Sequence, residues 1–541
     1  MKKKLFMCLA LCVALIMLCG CNIGLIPSAE NVADDPAPVN LESAEPVQLT
    51  FVSITDLHGD IEQDRQGFGG LSNTEYMIDT LSQFSGDDDP DTSEKDDIVL
   101  VANGDMLEGT GMSNAMHGLP VIEAMNEMQF DAMNVGNHEF NWGLGTVLYY
   151  FDGKSSDDSE GVADDGDNID GDIKANFPLL TANIIDDTNT LIADADENDN
   201  VVSSIIVDKM GVKVGIIGAI GPLESHISPG KLAEYAFLDV VKSVREEAVA
   251  LRSQGAEIVS VNVHYSNWAD PASSKMCTEI GAMKDKSGRY LVDMVFIGHS
   301  HELYSGEVVR DDAVNMPVVQ GGDHNKGIAY VTVDYDPAGR KIISCKQGYK
   351  MTADVAGNYD QAVEDVVDKY VDMVKNDEPL AISGVTYPDK DSVLVFDAQA
   401  VIKKTGADIA VLNYGSVGML NDIMSKEALS VLDVTSLYMF DDTIYLVQLK
   451  GDDIANLYDD MMLGGIIADV DGIIDASALK GSRDVYTVAV SDYVYYKNYF
   501  KKTKENAIKI EQLRTTVQDA IIAELRALNE QGLVWNPVVD P

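Results

Sequence analysis

Short apolar runs alternate with amphipathic or loop segments from residue 47 to about residue 350. Such short runs are typical of buried β-strands. Six of them are residues 48–54, 98–102, 132–135, 212–219, 257–263 and 294–297. Several lead directly into polar residues such as Asp56, Asn103, Asn137 and His264. Because α/β folds build their sites just past the carboxyl ends of strands, the pattern predicts an α/β domain with a site at its strand ends.

A helical pattern follows this half of the chain. Residues 361–375 carry apolar side chains at helical spacing, and Pro379 would end such a helix. Beyond it, the strand-like runs of a second α/β region cover residues 409–412, 443–449 and 485–490. The pattern also predicts a final amphipathic helix over residues 508–528. It divides the chain into a first domain, a linker helix and a second domain, over residues 48–350, 351–380 and 381–541.

Residues 1–20 have the pattern of a targeting segment. Three lysines precede an apolar run that is too short for a comfortable transmembrane helix. The run ends in Leu18-Cys19-Gly20-Cys21, which resembles a bacterial lipobox, where cleavage leaves the last cysteine to carry a lipid. An ordinary signal peptide or an N-terminal anchor is the alternative. The composition of residues 21–47 predicts a flexible tether. From the lipobox we expect a lipoprotein on the extracytoplasmic face of a bacterial membrane, attached to the membrane only through its lipid.

The composition is strongly acidic, with 39 Lys+Arg against 89 Asp+Glu in 541 residues and a net charge of −50. This charge excludes a general nucleic-acid binder and a protein held to anionic lipid by a basic patch. It does not exclude an anionic substrate, because a bound metal can reverse the charge locally. Three acidic segments, 86–97, 155–172 and 186–200, are interpreted as solvated loops. Calcium binding is the alternative, although their spacing does not match an EF-hand loop.

Of the six cysteines, three leave with the leader and Cys21 would carry the lipid, so Cys277 and Cys345 remain in the body of the protein. They either pair in an oxidising compartment or remain two separate buried thiols, and the sequence leaves both arrangements open. No Cys-x-x-Cys pattern indicates a zinc site.

Five of the eight histidines lie in short motifs at the ends of the predicted strands. The motifs, with one that lacks histidine, are Asp56-Leu57-His58, Asn103-Gly104-Asp105, Gly136-Asn137-His138-Glu139, His264 and Gly298-His299-Ser300-His301. Imidazole and carboxylate ligands suit borderline cations such as Zn²⁺, Mn²⁺ and Fe²⁺. A D-x-H or H-x-H pair on an extended segment places both side chains on the same side, and Asp105 could bridge two ions. Five such segments predict a dinuclear metal site, which would stabilise both oxygens of an in-line displacement.

In this order, the motifs D-x-H, G-D, G-N-H-E, H and G-H-x-H resemble the calcineurin-like metallophosphoesterase superfamily. Over about residues 48–530, the chain resembles the bacterial 5'-nucleotidase family, which also includes UDP-sugar hydrolases and 2',3'-cyclic-nucleotide phosphodiesterases. The resemblance implies a four-layer α/β/β/α metallophosphoesterase sandwich, joined by a linker helix to a second α/β substrate-binding domain. It implies two divalent ions, Zn, Mn, Fe or Co, and a nucleotide or other small phosphoester as substrate. We expect a monomer that binds no nucleic-acid polymer.

Carried over by position, the resemblance implies seven metal ligands: Asp56, His58 and His301 on one ion, Asn137, His264 and His299 on the other, and Asp105 between them. A water or hydroxide between the ions would be the nucleophile. His138 would stabilise charge on the transferring phosphoryl group or protonate the leaving oxygen. Asn141 departs from many 5'-nucleotidases, which pair this histidine with an aspartate there. A carboxylate would raise the pKa of His138, and an amide cannot do so by charge; the variant resembles the cyclic-nucleotide phosphodiesterase branch.

The second domain carries weaker similarities. Residues 406–410 match the family's G-A-D-x-A strand, Asn413 begins a turn similar to N-x-G, and residues 438–443 resemble Y-P-[YF]-[DG]-N-T. The family stacks the nucleobase between aromatic residues from two places, and Phe440 and Tyr493 are the matching candidates, with Asn413 as a third substrate residue. Stacking on an aromatic ring contributes ~1–3 kcal/mol and tolerates different bases. Ordinary core aromatics are the alternative.

Three features of the family are missing. Its N-x-G-x-x-R arginine falls on Gly418, residues 386–390 carry no arginine, and Tyr495-Tyr496-Lys497-Asn498 replaces a G-G-D loop. Because arginine binds phosphate or carboxylate in a bidentate way, we expect weaker nucleotide binding. The sequence therefore predicts a cell-surface dinuclear-metal phosphoesterase acting on nucleotides. The alternatives are a ligand-capturing lipoprotein on the same fold with weak or no turnover, and a structural or adhesive surface protein.

Overall fold

The computed structural model describes residues 45–63, 69–84, 95–152, 173–195, 200–266, 271, 274–311, 314–375, 379–418, 420–440, 442–461 and 464–537. All of them belong to one compact unit, Glu45–Pro541. The predicted signal peptide, Cys21, most of the tether and parts of the three acidic segments lie outside the described residues. Among the residues that are described, no helix combines the length and the apolar character needed to cross a membrane.

A seven-stranded sheet forms one half of the first domain. In spatial order its strands are Lys341–Met351, Gly327–Asp336, Val47–Ile54, Ile98–Asn103, Ala132–Asn134, Leu179–Leu180 and Val201–Val202. The first two pair antiparallel with each other, and the strands from Val47–Ile54 onward are mutually parallel. Parallel strands bring their carboxyl ends to the same edge of a sheet. The segments that carry Asp56, Asp105 and Asn137 therefore meet at one edge.

A six-stranded sheet forms the other half. Its strands, in spatial order, are Leu303–Val308, Met316–Gly321, Met294–Ile297, Ile258–His264, Val212–Ile220 and Ser204–Lys209. The four inner strands are parallel and the two outer ones antiparallel. His264 ends one inner strand, and His299 and His301 follow the next. All six strands predicted from the apolar runs occur within one residue of their predicted bounds.

The two sheets pack face to face, with helices on both outer sides. Apolar side chains such as Phe51, Ile216 and Phe296 fill the space between the sheets. The outer helices over the seven-stranded sheet include Leu71–Asp79, Leu119–Glu127, Leu144–Asp152 and Gln361–Lys375. Those over the six-stranded sheet are Val240–Ser253 and Lys275–Gly281. Full burial of each such large apolar side chain stabilises the fold by roughly 1.5–3 kcal/mol. The order helix, sheet, sheet, helix confirms the predicted four-layer α/β/β/α sandwich.

Smaller elements complete this half of the chain. Two short strands, Ile184–Asp186 and Tyr235–Phe237, pair antiparallel outside the two main sheets. The remaining short helices and helical turns are Gly111–Ala115, His138–Phe140, Ile192–Ala195, Glu224–His226 and Thr352–Val355. The helical turn His138–Phe140 begins four residues after the end of the strand Ala132–Asn134, so His138 lies near the edge where that strand ends.

The helix Gln361–Lys375 has its predicted bounds and leads into a second α/β region. A six-stranded sheet there has the spatial order Gly472–Ile473, Gly465–Asp469, Ile409–Asn413, Val485–Ser491, Thr443–Lys450 and Lys509–Thr516. A small sheet joins Ala428–Leu429, Ala381–Ser383 and Val534–Trp535. The helices are Lys390–Thr405, Val434–Leu437, Gly451–Met461, Asp492–Tyr496, Asn498–Glu505 and Val517–Glu530. Apolar clusters cover both faces of the larger sheet, which is the arrangement expected of an α/β domain.

The predicted final helix over residues 508–528 is wrong in its first part. The strand Lys509–Thr516 pairs antiparallel with Thr443–Lys450, and the helix Val517–Glu530 begins only after it. Thr516 accepts the backbone N–H of Asp519, and Asp519 accepts that of Thr516, which forms a capping box. This box starts the helix at a defined residue, because it satisfies two backbone donors that the helix itself leaves free.

Cys277 and Cys345 are free thiols in different layers of the sandwich. Cys277 packs with the outer helices over the six-stranded sheet, and Cys345 packs against the layer between the sheets. Burial raises the pKa of the Cys277 thiol to about 11. Of the two arrangements that the sequence left open, the structure has two separate thiols.

Asp397, in the helix Lys390–Thr405, is fully buried, and neither carboxylate oxygen has a hydrogen-bond partner among the described residues. Burial raises its pKa well above the ordinary value of 3.8. The folded chain therefore prefers the protonated form, and this contribution to stability is present below about pH 4 and is lost as the pH rises. We expect D397N to raise the free energy of unfolding by about 1–3 kcal/mol at pH 7.5, and to have little effect near pH 4.

Urea unfolding at the two pH values measures this difference. The exposed Asp471 provides the matched control, and D471N should leave the free energy of unfolding unchanged at both. A D397N chain that is no more stable than the original at pH 7.5 would contradict the prediction.

Candidate metal centre

Five of the predicted ligands lie on left-handed backbone just after strands. Their φ angles are between 53° and 75°, and they are Asp56, His58, Asp105, His299 and His301. A residue other than glycine in this region costs roughly 1–2 kcal/mol and is uncommon outside functional sites. The turns follow strands of both sheets, so the fold accepts local strain at the edge where these strands end.

Asp56, His58 and His301 form one cluster, whose ligand atoms all lie within 4.8 Å of one another. Nε2 of His301 lies 3.4 Å from Oδ1 of Asp56 and 3.2 Å from Nε2 of His58. Nδ1 of His58 donates to the backbone carbonyl of Glu108 at 3.1 Å, so in the neutral ring Nε2 is the nitrogen without a proton. Burial, and then the charge of His138, lower the pKa of His58 to about 4. The ring is thereby held in its neutral, metal-binding form.

Asp105, His264 and His299 form the second cluster, again within 4.8 Å. Nε2 of His264 lies 3.0 Å from Oδ2 of Asp105, while its Nδ1 donates to the carbonyl of Asn103 at 2.7 Å. Burial, and then the charge of His264, lower the pKa of His299 to about 4. Asn137 lies beside this cluster, because the next backbone N–H, that of His138, donates to Asp105 at 2.8 Å.

The donors in these clusters fit two divalent cations. Oδ1 of Asn137 is buried and accepts no hydrogen bond among the described residues. Burial opposes a charged His264 ring, but the facing Asp105 carboxylate outweighs it and raises the pKa of His264 to about 9. Burial disfavours the charged form of Asp105, but the His264 and His138 side chains outweigh it and lower its pKa well below the usual range. A cation would give this buried oxygen a partner and would neutralise the ionised carboxylate beside it.

The loop after the strand Met294–Ile297 contributes to both clusters, since it carries His299 and His301. The backbone N–H of His299 donates to Oδ2 of Asp56 at 3.0 Å. Between the two histidines, Ser300 is buried and accepts a hydrogen bond from Ser266 at 2.6 Å. The loop is therefore fixed to both sheets of the sandwich.

Two glycines allow the strand ends to approach closely. A Cβ on Gly136 would overlap the side-chain carboxylate and the backbone nitrogen of Asp105, and one on Gly104 would lie 2.7 Å from Nδ1 of His264. Neither space admits a side chain without moving a predicted ligand. Glycine is therefore required at both positions by close packing.

Glu139 joins the two turns that carry Asp105 and Asn137. Its Oε2 accepts the backbone N–H groups of Asp105 at 2.8 Å and Gly136 at 2.7 Å, and its Oε1 accepts that of Met106 at 2.9 Å. Burial, and then the charge of Asp105, raise the pKa of this carboxyl. The sequence marked Glu139 only as part of a motif, and the structure shows that it positions the backbone beneath the clusters.

Glu108 is a residue at the centre that the sequence did not indicate. Its Oε2 lies 2.6 Å from Nδ1 of His138 and accepts a hydrogen bond from Nδ2 of Asn141 at 3.1 Å. Asn141 supplies no charge, as expected, but Glu108 does. Burial opposes the charged ring, yet Asp105 and Glu108 outweigh it and raise the pKa of His138 to about 10. The one sequence signal was an acidic residue three positions after Asp105, on the same turn.

Two further histidines reach the centre. The ring of His226 packs edge-on against His299 at 4.8 Å, and the ring of His324 stacks on His58 at 5.1 Å. Asp323 and His324 also form a group with His301 that could hold a cation. The ammonium group of Lys326 lies 2.8 Å from Asp323, so this carboxylate already has a counter-charge.

The substrate residues predicted in the second domain do not form a cluster comparable to the two groups of predicted metal ligands. Phe440 is half-buried against the apolar cluster beneath one face of the sheet. Tyr493 is half-buried in the other cluster, and the ammonium group of Lys497 covers its ring at 3.8 Å. Asn413 is buried, and its Oδ1 has no partner among the described residues. One face of the Tyr493 ring is thus occupied by a cation of the chain itself.

Comparison with known proteins gives matches over most of the chain. The chain is similar to the endonuclease YhcR of Bacillus subtilis (strain 168), with 25% identity over 430 residues, 76% of this chain and 33% of that protein. It is also similar to a 2',3'-cyclic-nucleotide 2'-phosphodiesterase/3'-nucleotidase of Salmonella typhimurium, with 25% identity over 379 residues, 64% of this chain and 52% of that protein. The chain thus spans between a third and about half of the length of these relatives.

A solved structure and two family models agree with this. The 5'-nucleotidase precursor from Thermus thermophilus has the same fold, with a TM-score of 0.59, 18% identity, and coverage of 91% of this chain and 98% of that one. The model of calcineurin-like phosphoesterases matches residues 49–303, and that of the 5'-nucleotidase C-terminal domain matches residues 389–483. The resemblance inferred from the motifs is confirmed: the chain combines a calcineurin-like phosphoesterase domain with a 5'-nucleotidase C-terminal domain.

Proposed function

We propose that this chain is a metal-dependent phosphoesterase that hydrolyses nucleotides. The observation that carries the proposal is the pair of histidine and carboxylate clusters, with the buried Asp105 in one of them and also within 4.8 Å of His58 in the other. The family supports divalent metals and a nucleotide phosphoester as substrate. The name of the Salmonella relative supports cyclic or 3'-nucleotides, and that of the Thermus structure supports 5'-nucleotides.

The proposed ligand sets are Asp56, His58 and His301 for one ion, and Asn137, His264 and His299 for the other, with Asp105 shared. When bound, two divalent ions supply positive charge and Lewis acidity for displacement at phosphorus. The rings of His58 and His264 are oriented by hydrogen bonds from Nδ1 to the carbonyls of Glu108 and Asn103, so that Nε2 is the atom that would bind an ion. His138 presents Nε2 to the substrate, because its Nδ1 is held by Glu108, and it would donate a hydrogen bond to the phosphoryl or leaving oxygen.

Removal of the metals is expected to abolish turnover and to weaken substrate binding. Two divalent ions bring a charge of +4 against −2 from Asp56 and Asp105, a local surplus of +2 that the apo clusters lack. The purified chain would be treated with a chelator and reloaded with Mn²⁺, Zn²⁺ or Co²⁺. Hydrolysis of adenosine 5'-monophosphate and of 2',3'-cyclic adenosine monophosphate would then be assayed. We expect the apo chain to bind adenosine 5'-monophosphate about tenfold more weakly, ~1.4 kcal/mol.

The same assay distinguishes the substrates and tests the proposal. Faster turnover of the cyclic ester would support the phosphodiesterase branch, to which Asn141 also points. Hydrolysis that continues undiminished in the chelated chain, or equal nucleotide affinity with and without metal, would contradict the proposal. A substrate panel with no turnover in any metal would also do so.

The second candidate function is capture of a ligand without turnover. It is favoured by the arginines that the second domain lacks and by the Lys497 ammonium group over Tyr493. It predicts tight binding of a ligand while the metal site is empty, and no product. Product release at a rate that follows metal content would exclude it.

We also propose that the chain is anchored outside the cytoplasm through a lipid on Cys21, because its leader resembles a lipobox. Mass spectrometry of the mature N-terminal peptide tests this directly. A peptide that begins at another residue, or that begins at Cys21 without added lipid mass, would contradict it.

A further inference from the structure

We propose that Glu108 is the positioning residue for His138, and that it does in this chain what an aspartate at position 141 does in many 5'-nucleotidases. This rests on the proposed function, since His138 acts on a substrate only if the chain turns one over. In this chain the carboxylate that contacts His138 lies at a different sequence position. It belongs to the turn after the strand Ile98–Asn103, and not to the helical turn that carries His138 itself.

Distance and burial point to a strong, directed hydrogen bond. Nδ1 of His138 and Oε2 of Glu108 are 2.6 Å apart, which is short even for a charge-assisted bond. The side chain of Glu108 is 5% exposed and that of His138 is 29% exposed. The pair is therefore shielded from solvent at the carboxylate end and open at the end that meets a substrate.

Asn141 completes the geometry and fixes the tautomer. Its Nδ2 donates to Oε2 of Glu108 at 3.1 Å and lies 3.0 Å from Nδ1 of His138. An amide nitrogen beside Nδ1 offers that atom no acceptor, so the proton on Nδ1 is shared with Glu108 alone. Nε2 is left as the nitrogen that faces the reaction, in a ring whose rotation is fixed from the other side.

The backbone around Glu108 is itself held in place. The carbonyl of Glu108 accepts from Nδ1 of His58, so one residue orients a predicted metal ligand through its backbone and His138 through its side chain. The next residue, Gly109, donates to Asn114 at 2.8 Å, and a Cβ on it would overlap the carbonyl of His58. The position of the Glu108 carboxylate is thus set by the same turn that supports the metal centre.

The contact between Asn141 and Glu108 permits a relocation experiment. N141D alone would place a second carboxylate 3.1 Å from the first and would repel it. E108Q alone keeps the size of the side chain and removes its charge. In E108Q/N141D the charge moves to position 141, still about 3.0 Å from Nδ1 of His138, and the amide introduced at position 108 donates to it.

Kinetics with the full, metal-loaded chain test the inference, with E246Q on an exposed side chain as the matched control. We expect E108Q to lower kcat about 10–100-fold with KM changed less than about threefold. N141D should lower kcat about tenfold, and the double variant should recover to within about fivefold of the original chain. The loss in E108Q should be larger for adenosine 5'-monophosphate than for p-nitrophenyl phosphate, whose leaving group needs less help from a proton donor.

A measurement without turnover keeps the inference separate from the proposed function. In protein labelled with ¹⁵N-histidine, His138 should carry its proton on Nδ1, with a far-downfield resonance that disappears in E108Q and returns in E108Q/N141D. If no metal supports hydrolysis, the proposed function fails and this resonance alone decides the inference. E108Q with an unchanged kcat, E108Q that loses bound metal, or a double variant no better than E108Q would each overturn it.

Discussion

Replacement of Asp105 by asparagine is expected to lower kcat/KM by about 1,000-fold, ~4 kcal/mol, and to lower the content of bound metal. A carboxylate oxygen of Asp105 lies within 4.8 Å of a ring nitrogen of His58, in one proposed ligand set, and of His264 and His299, in the other. An asparagine keeps the shape, removes the shared charge and presents an N–H group to one of these neighbours. Steady-state kinetics and elemental analysis of the purified variant measure the two effects.

The matched control is D354N, on an exposed aspartate of the same chain, which should change neither quantity. A D105N chain that holds as much metal as the original and hydrolyses the same substrates at an undiminished rate would show that the centre does not depend on this carboxylate.

A single methyl group at position 136 is expected to have the second largest effect. G136A should lower kcat/KM about 100-fold and the free energy of unfolding by about 1–3 kcal/mol. The new Cβ would overlap the carboxylate and the backbone nitrogen of Asp105, so the turn carrying that ligand has to shift. Nucleotide hydrolysis and urea unfolding, each with the metal-loaded chain, measure the shift in function and in stability.

Gly288 provides the comparison, because a Cβ there meets no atom within 4 Å. Its φ of 91° makes alanine strained, so G288A should cost about 1 kcal/mol of stability and leave hydrolysis unchanged. If G136A loses no more activity than G288A, the close approach of the two turns has no role in the chemistry.

The sequence predicted the parts of this fold that depend on local pattern. Apolar runs followed by polar residues located the strands and the strand ends, since a buried parallel strand must be apolar along its length and must turn at its carboxyl end. The sequence pattern therefore places the motifs around Asp56, Asp105 and His264 at strand ends. Their roles as ligands remain a proposal, and the structure contributes the distances on which it rests.

Other features depend on contacts that the local pattern does not encode. Glu108 and His138 are 30 residues apart, and they meet because two turns with left-handed or glycine backbone rotate them toward each other. Likewise, the residues before Val517 have apolar side chains at helical spacing, yet they form a strand. They pair with the strand Thr443–Lys450, and the capping box at Thr516 starts the helix only after them. Tertiary pairing outweighs weak local preference in such segments.

The loop that carries both His299 and His301 has a consequence for how the centre is loaded. On the proposed assignment, it supplies one ligand to each ion, and its backbone is tied to Asp56 and its Ser300 to Ser266. An ion bound by one of these histidines further restricts the shared loop, and so lowers the entropic cost of fixing the other histidine. The two binding events are thus thermodynamically linked, so half-loaded molecules should be scarce at equilibrium, and limiting metal would yield a mixture of empty and fully loaded chains.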